Sequence, residues 1–437
     1  MLNEFTTPLY NQLIAEFEKS GADTSGDILD IRKNAFELFK AKGFPTTKEE
    51  DWKFTSLKPF LNDDYSFNAA DLDADSLNTV IAQSLVPDLD AYYLVVLNGV
   101  IQPELSVLPA KDQVTLQSLH NNEAVAFNGF KNIGDNAMVA LNTAFFKGGY
   151  YLEVSKNTVL DKPVQIINIY TAKENILFQP RNVVVVNQHA QAELIETTVV
   201  LKESALLFVN SVSQLIVKEN AQLKQYKVQN NDTNNRIVSY NHINQERRSR
   251  YDNFTFCLPG AELIRNNLEV TLNGSATETH LLGLYLVGDH QLTDNHTLIH
   301  HKFPNCDSNE IYKGVLLKNG KAVFNGKVFV EREAQKTNAF QQNNNLLLSN
   351  NATVFAKPQL EIYADDVKCS HGCTVGQFDP ESLFYLRSRG ISEESSRKLL
   401  VEAFMFDVTE KIEHDALKEY VQSLIYAKME NSFLSVV

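Results

Sequence analysis

From about Tyr150 to Gly372 the chain is a near-continuous series of short apolar runs separated by polar corners, with almost no segment of helical period. One corner recurs. Val186-Asn187-Gln188-His189-Ala190 resembles Val217-Lys218-Glu219-Asn220-Ala221, Leu272-Asn273-Gly274-Ser275-Ala276, Lys318-Asn319-Gly320-Lys321-Ala322 and Leu348-Ser349-Asn350-Asn351-Ala352. Each joins an apolar strand, a polar turn, an alanine and another strand. A small inward side chain lets a chain turn sharply while its strands stack on the coils above and below, which is the unit of a β-solenoid. The alanines step by 31, 55, 46 and 30 residues, so the expected solenoid is degenerate, with unequal loops. A β-sandwich also alternates strands with turns. Uninterrupted β sequence over about 220 residues favours the solenoid.

Both ends read as helical. Leu9, Leu13 and Phe17 recur at four-residue spacing, and Ile28, Ile31, Phe36 and Phe39 form a second stripe ending at Gly43-Phe44-Pro45. Trp52, the only tryptophan, is expected to anchor this helical part on the next layer. Tyr92 to Leu97 is a β run, and Asn98-Gly99 supplies a tight hairpin turn into Val100-Ile101. Asp135 to Phe146 has helical spacing. Near the C-terminus Asp379 is an N-cap with Pro380 at the first helical position, Gly390 a C-cap and Ser392 the next N-cap. Leu400, Phe404, Val408 and Ile412, then Leu417, Val421, Leu424 and Met429, make the stripes that follow. The expected organisation is a mixed helical region over 1–147, a β-helix over 148–372 and a C-terminal helical domain over 373–437.

Charge and composition exclude some functions. Forty basic against 54 acidic residues leave a net charge of −14, which argues against a phosphate-backbone binder and hence against nucleic acid. The Arg247, Arg248, Arg250 cluster reads as a solvated face. No apolar stretch approaches the ~20 residues needed to cross a bilayer, and no basic region followed by an apolar run suggests a signal peptide. Four cysteines are too few for a disulfide framework and suit a reducing cytosol, so a cytoplasmic protein is expected. The nucleotide-binding loop Gly-x-x-x-x-Gly-Lys-Ser/Thr, the Gly-x-Gly-x-x-Gly fingerprint and the Gly-x-Ser-x-Gly elbow are all missing, so any ATP dependence must come from another chain.

The chemistry concentrates in Lys368-Cys369-Ser370-His371-Gly372-Cys373. Thiolate and imidazole are ligands for iron, zinc or copper. In an extended segment Cys369, His371 and Cys373 share one face and can project toward one ion, cluster or partner. Three ligands leave a position open, so a fourth would come from a partner or substrate. Against this stands the plainer reading of one buried cysteine, one exposed cysteine and a structural histidine. A second cluster, Asp289, His290, Asp294, His296, His300 and His301, also has ligand chemistry, but polar corner hydrogen bonds account for it more simply. Cys257 and Cys306 sit alone in β context, as small buried side chains do.

The segment from Lys357-Pro358-Gln359-Leu360-Glu361 through Asp365-Asp366-Val367-Lys368-Cys369-Ser370-His371-Gly372, continued by Thr374-Val375-Gly376-Gln377 and Leu383-Phe384-Tyr385-Leu386-Arg387-Ser388-Arg389-Gly390, resembles the C-terminal signature of the SufB/SufD family of iron–sulfur cluster assembly proteins. Tyr312-Lys313-Gly314-Val315, Phe324-Asn325-Gly326-Lys327, Ala334-Gln335-Lys336-Thr337-Asn338-Ala339 and Asn343-Asn344-Asn345 match as well, and Gly43-Phe44-Pro45 through Trp52-Lys53-Phe54-Thr55 resembles the family's N-terminal element. With Gly372 after the histidine, where the SufB branch has Glu, the chain is most like the SufD branch.

The resemblance implies a mainly β fold: a right-handed parallel β-helix flanked by helical segments. It implies a non-catalytic scaffold subunit that pairs with a SufB-like paralogue and binds the SufC ATPase through its C-terminal helices. Such a subunit contributes to cluster formation and iron acquisition at the interface, holding a transient cluster or iron only in the complex and no tightly bound cofactor alone. It implies a role for His371 opposite a partner cysteine, with Cys369 as the motif cysteine; Cys373 departs from the family pattern, which has alanine there. Two readings stand beside it. Parallel β-helices also host carbohydrate-active enzymes, for which Glu361, Asp365 and Asp366 are the nearest carboxylates, and solenoid edges invite a purely structural homodimer.

Overall fold

The computed structural model describes residues 7–20, 27–67, 74–119, 135–202, 206–230, 235–258 and 260–433. Its centre is a parallel β-solenoid of about seven turns, with helices at both ends of the chain. One sheet runs, in spatial order, β2 (Val100–Ile101), β1 (Tyr92–Leu97), β5 (Val164–Ala172), β8 (Gln191–Lys202), β10 (Gln222–Gln229), β12 (Arg250–Cys257), β14 (Glu278–Val287), β16 (Asp307–Leu316), β18 (Thr337–Leu347) and β20 (Val367–Gly376). The second runs β19 (Thr353–Ile362), β17 (Lys321–Val330), β15 (Leu292–His301), β13 (Leu263–Leu272), β11 (Asn235–Gln245), β9 (Leu207–Val217), β7 (Arg181–Val186), β4 (Tyr150–Val154) and β3 (Val114–Ser118), with β6 (Ile176–Phe178) beside β9. The β1–β2 hairpin predicted at Asn98-Gly99 forms, and β1 pairs in parallel with β5, so parallel coiling begins at Tyr92.

The coils are far more regular than the alanine spacing suggested. Gln191, Gln222, Arg250, Glu278, Asp307, Asn338 and Lys368 lie in register across the first sheet, at steps of 31, 28, 28, 29, 31 and 30 residues. Before the first six of these sits a small buried residue: Ala190, Ala221, Ser249, Thr277, Cys306 and Thr337. Before each of those sits a left-handed residue: His189, Asn220, Arg248, Ala276, Asn305 and Lys336. The irregular steps arose because Ala322 and Ala352 belong to coil edges leading into the second sheet, while the corner at Ser249 carries no alanine. Ala276 itself is the exposed left-handed residue, and Thr277 takes the inward slot.

Helices cover both outer faces. α1 (Pro8–Ser20), α2 (Asp27–Lys42) and α4 (Ala137–Phe145) lie on the second sheet; α3 (Ala74–Ser84) lies on the first, with Leu77 and Ile81 against Val95, Ile167 and Ile169, as do α6 (Glu393–Thr409) and α7 (Asp415–Phe433), while α5 (Pro380–Ser388) buries none of its residues. Leu13, Phe36, Phe39, Trp52 and Met138 pack on Phe208, Val212, Val238 and Leu263 of the second sheet. Val401, Met405, Val408, Val421 and Ile425 pack on Phe254, Phe256, Leu282, Leu284 and Val315 of the first. Lys313 reinforces this contact by ion pairing with Asp407 and Lys224 by pairing with Glu413, and His414 Nε2 lies 2.9 Å from Glu193 Oε1.

Much of the lumen is polar. Tyr251 donates to Gln225 at 2.7 Å, Thr255 to Asn253 at 2.8 Å, Asn266 to Asn295 at 3.1 Å and Asn345 to Asn343 at 2.7 Å, all buried. Each bond spares a buried dipole the desolvation penalty it would otherwise suffer. Tyrosine rings fill the remaining width by lying over glycines of the neighbouring coil. A Cβ on Gly283 would stand 2.1 Å from the Tyr312 ring, and one on Gly314 2.0 Å from the Tyr285 ring. Gly283→Ala is therefore expected to lower stability by about 1–3 kcal/mol through overpacking, read as a shift in denaturation midpoint; Gly372→Ala, whose added Cβ meets nothing within 4 Å, should leave the midpoint where it is.

Candidate functional site

The motif occupies β20, the last strand of the first sheet. Among the described residues β20 pairs with β18 on one side only, and β19 with β17 on one side only, so the solenoid ends there on two unpaired edges. Cys369, His371 and Cys373 align with Ala339, Gln341 and Asn343 of β18. Those three residues are buried, so the predicted common face is the one that continues the inward columns. At this end no further coil covers it. His371 and Cys373 are exposed, and Cys369 is half-buried against Val328, Val330, Ala339 and Ala364.

The local sequence explains the geometry. Thr337 and Val367 enter β18 and β20 in register, and Lys336, in the left-handed region, donates its N–H to the Asp366 carbonyl at 2.6 Å. At the other end Asp379 caps α5 through the amides of Glu381 and Ser382, as expected, with Pro380 in the first turn. Gly390 adopts the left-handed conformation and Ser392 caps α6.

Burial pushes the Cys369 thiol up, partly offset by a backbone hydrogen bond from Ala339, and burial alone raises Cys373. Both are protonated at neutral pH, so binding a metal would require displacing their protons. Cys373 Sγ lies 4.0 Å from Asn343 Oδ1, its hydrogen-bond acceptor.

The second cluster disperses. His301 points into the lumen and pairs with Ser308 at 2.9 Å. His300 meets Glu331 at 2.9 Å on the outer face, while His296 lies 2.9 Å from Asp294. His290 is an exposed corner residue in the left-handed region. No group of three metal-ligating side chains gathers among the described residues. Cys257 and Cys306 are buried, and burial pushes Cys257 up to about 12. Glu361 pairs with Lys327 at 2.7 Å, and Asp365 and Asp366 are exposed. Arg247 and Arg250 pair with Glu219, Asp252 and Glu278, as a solvated face would.

Sequence reasoning missed two residues beneath the motif. Glu310 is fully buried in register with Gln341, whose Nε2 donates to its Oε2 at 2.6 Å. Burial raises the Glu310 carboxyl to about 7, with the Gln341 bond opposing. A carboxyl held above its unfolded value contributes stability that is present below pH 4.5 and lost as pH rises through 7, by about 3 kcal/mol in all. Denaturation of the wild type and Glu310→Gln at pH 4.5 and 7.5 should show the wild type losing ground to the variant across that interval. The signal available in sequence was the polar run Gln341-Gln342-Asn343-Asn344-Asn345, whose alternate members face inward.

Comparison with known proteins agrees with this architecture. The family description "SUF system FeS cluster assembly, SufBD core domain" matches residues 168–404, and "SufBD protein N-terminal region" matches residues 6–166. An iron–sulfur cluster assembly SufBD family protein of Synechocystis is 33% identical over 403 residues, covering 88% of this chain and 87% of that protein. SufD of Escherichia coli is 29% identical over 386 residues, covering 88% and 89%. SufD of Bacillus subtilis is 27% identical over 303 residues, covering 68% of each. A β-solenoid whose whole length matches these descriptions, with the Cys-Ser-His-Gly motif on its last strand, belongs to the SufBD family of the SUF system of iron–sulfur cluster assembly.

Proposed function

We propose that this chain is a non-catalytic, cytoplasmic scaffold subunit in iron–sulfur cluster assembly, pairing with a SufB-like paralogue and docking a SufC-type ATPase on its C-terminal helices. The observation that carries the reading is the position of the motif: His371 and Cys369 stand on an unpaired edge strand at an open solenoid end. A site built there is half of one. A second chain adding strands to the β19 and β20 edges would supply the missing ligands and cover the exposed imidazole. The nascent cluster or iron is then cargo shared across the interface, released when the chains separate.

The C-terminal helices support the second contact. Phe384 and Tyr385 on α5 and Phe406 on α6 are exposed aromatics beyond the face that packs on the sheet, with Phe384 74% exposed. Such side chains are suited to anchor a partner. Co-expression with SufB-type and SufC-type chains tests the proposal: a stable ternary complex is expected, and Phe384→Ala with Tyr385→Ala should release the ATPase while sparing the SufB contact. Retention of the ATPase by that double variant would remove α5 from the reading. The same unpaired edges favour a homodimer when the paralogue is absent, which light scattering of the isolated chain would reveal as twice the 49.3 kDa chain mass.

A further inference from the structure

The column of residues beneath His371 ends in an acceptor without a donor. Glu310, Gln341 and His371 occupy one register position on β16, β18 and β20. Gln341 is 3% exposed. Its Nε2 donates to Glu310 Oε2 at 2.6 Å; an ionised carboxyl can only accept, so while Glu310 is charged the nitrogen end of the amide must face it. Gln341 Oε1 is buried and receives no hydrogen bond. A buried carbonyl oxygen in that state is costly, by about 1–3 kcal/mol. The next side chain along the column, on the side away from Glu310, is His371, whose ring nitrogens are both donors or one donor and one acceptor according to protonation.

We propose that Gln341 is a positioning residue for His371: its Oε1 accepts a hydrogen bond from one ring N–H of His371, with Glu310 holding the amide in the required orientation. The bond selects one neutral tautomer of the imidazole, leaving the other nitrogen with a free lone pair directed away from the lumen, toward the open end where a ligand or partner group would sit. Outer hydrogen bonds to ligating histidines commonly act in this way, setting tautomer, ring orientation and basicity. The inference rests on the reading of His371 as a functional imidazole, but it is tested separately.

The test is the tautomer of His371 in the full-length chain, read by long-range proton–nitrogen correlation on protein labelled with nitrogen-15 at histidine, at a pH where the ring is neutral and Glu310 is ionised, with His371→Ala to assign the signal. In the wild type one ring nitrogen should carry the proton in nearly all molecules. Gln341→Met, which removes the acceptor at similar volume, should return His371 to a tautomer mixture like that of free imidazole. Glu310→Gln, nearly isosteric, should give a partial shift because the Gln341 amide is then free to turn over; it also tests the link if Gln341→Met unsettles the last coil. An unchanged tautomer ratio in both variants overturns the proposal. Cluster formation on His371→Ala is a separate readout: if it is normal, the functional reading of His371 falls, whereas a static tautomer ratio with impaired cluster formation removes only the role of Gln341.

Discussion

Replacing Asp294 by alanine is expected to destabilise the protein by about 3–5 kcal/mol, because it leaves the Arg265 guanidinium buried without its counter-charge. Both side chains are 1% exposed. Arg265 donates to Asp294, which also accepts from Thr55, and the guanidinium lies 3.9 Å from the Trp52 ring centroid. The pair therefore sits where the N-terminal segment meets the second sheet, and the loss is a large share of the 5–15 kcal/mol typical of a domain. The Arg265 charge holds the Asp294 carboxyl down to about 2 against the opposing effect of burial. Its contribution is present above the ordinary carboxylate range and is lost as pH falls toward 2. Equilibrium denaturation at neutral pH provides the check. Joint replacement, Asp294→Leu with Arg265→Met, should recover most of the loss, since removing both charges also removes the cost of burying them. If Asp294→Ala costs under 1 kcal/mol, the ion pair is not buried in the way described.

His371→Ala should leave the chain folded and able to assemble, because the imidazole is exposed and its neighbours on β18 do not depend on it. Cluster formation on the assembled complex should nonetheless fall roughly tenfold or more, the order seen when even an outer partner of a ligating histidine is lost. Anaerobic reconstitution followed by iron–sulfur absorption distinguishes the outcomes. A wild-type spectrum from the variant would show that His371 has no part in the site. Cys373→Ala should reduce cluster formation less than twofold by the same measurement: both side chains lie on the same face of β20, but only His371 stands over an acceptor that lacks a donor.

The solenoid was legible because its corners repeat. Each demands a left-handed residue and then a small one, and two of the six leading into the first sheet carry the alanine that made the pattern visible in the inward slot. The period was misjudged because Ser249, Thr277, Cys306 and Thr337 do the same packing with different chemistry. The polar lumen was hidden for a related reason. In β12 and β14 the residues facing outward, Phe254, Phe256, Leu282 and Leu284, are apolar because α6 and α7 cover them, while the inward face mixes Asn253, Thr255 and Thr279 with Tyr251, Leu281 and Val287. Alternation alone cannot say which face of a strand looks inward when both faces are buried. The motif was found from its residue types, whereas Glu310 and Gln341 acquire meaning only once register places them below His371.

The connection between β20 and α5 has a mechanical consequence. Gly376 ends the strand and Pro380 begins the helix, with Gln377, Phe378 and Asp379 between them. Fully extended, those three residues reach only about 10 Å. α6, α7 and the turn between them are riveted to the first sheet by an apolar contact and by the Lys313–Asp407 and Lys224–Glu413 ion pairs, whereas α5 buries none of its residues. A load on α5 has little slack to take up before it meets Phe378, which packs on the same apolar cluster, and then β20. The strand that carries His371 is held by hydrogen bonds on one side only, which makes it the compliant end of an otherwise stiff rod. Force applied at α5, unlike force on the anchored α6 and α7, would thus pass through that short connection to the motif strand, with the coils behind it acting as the anchor.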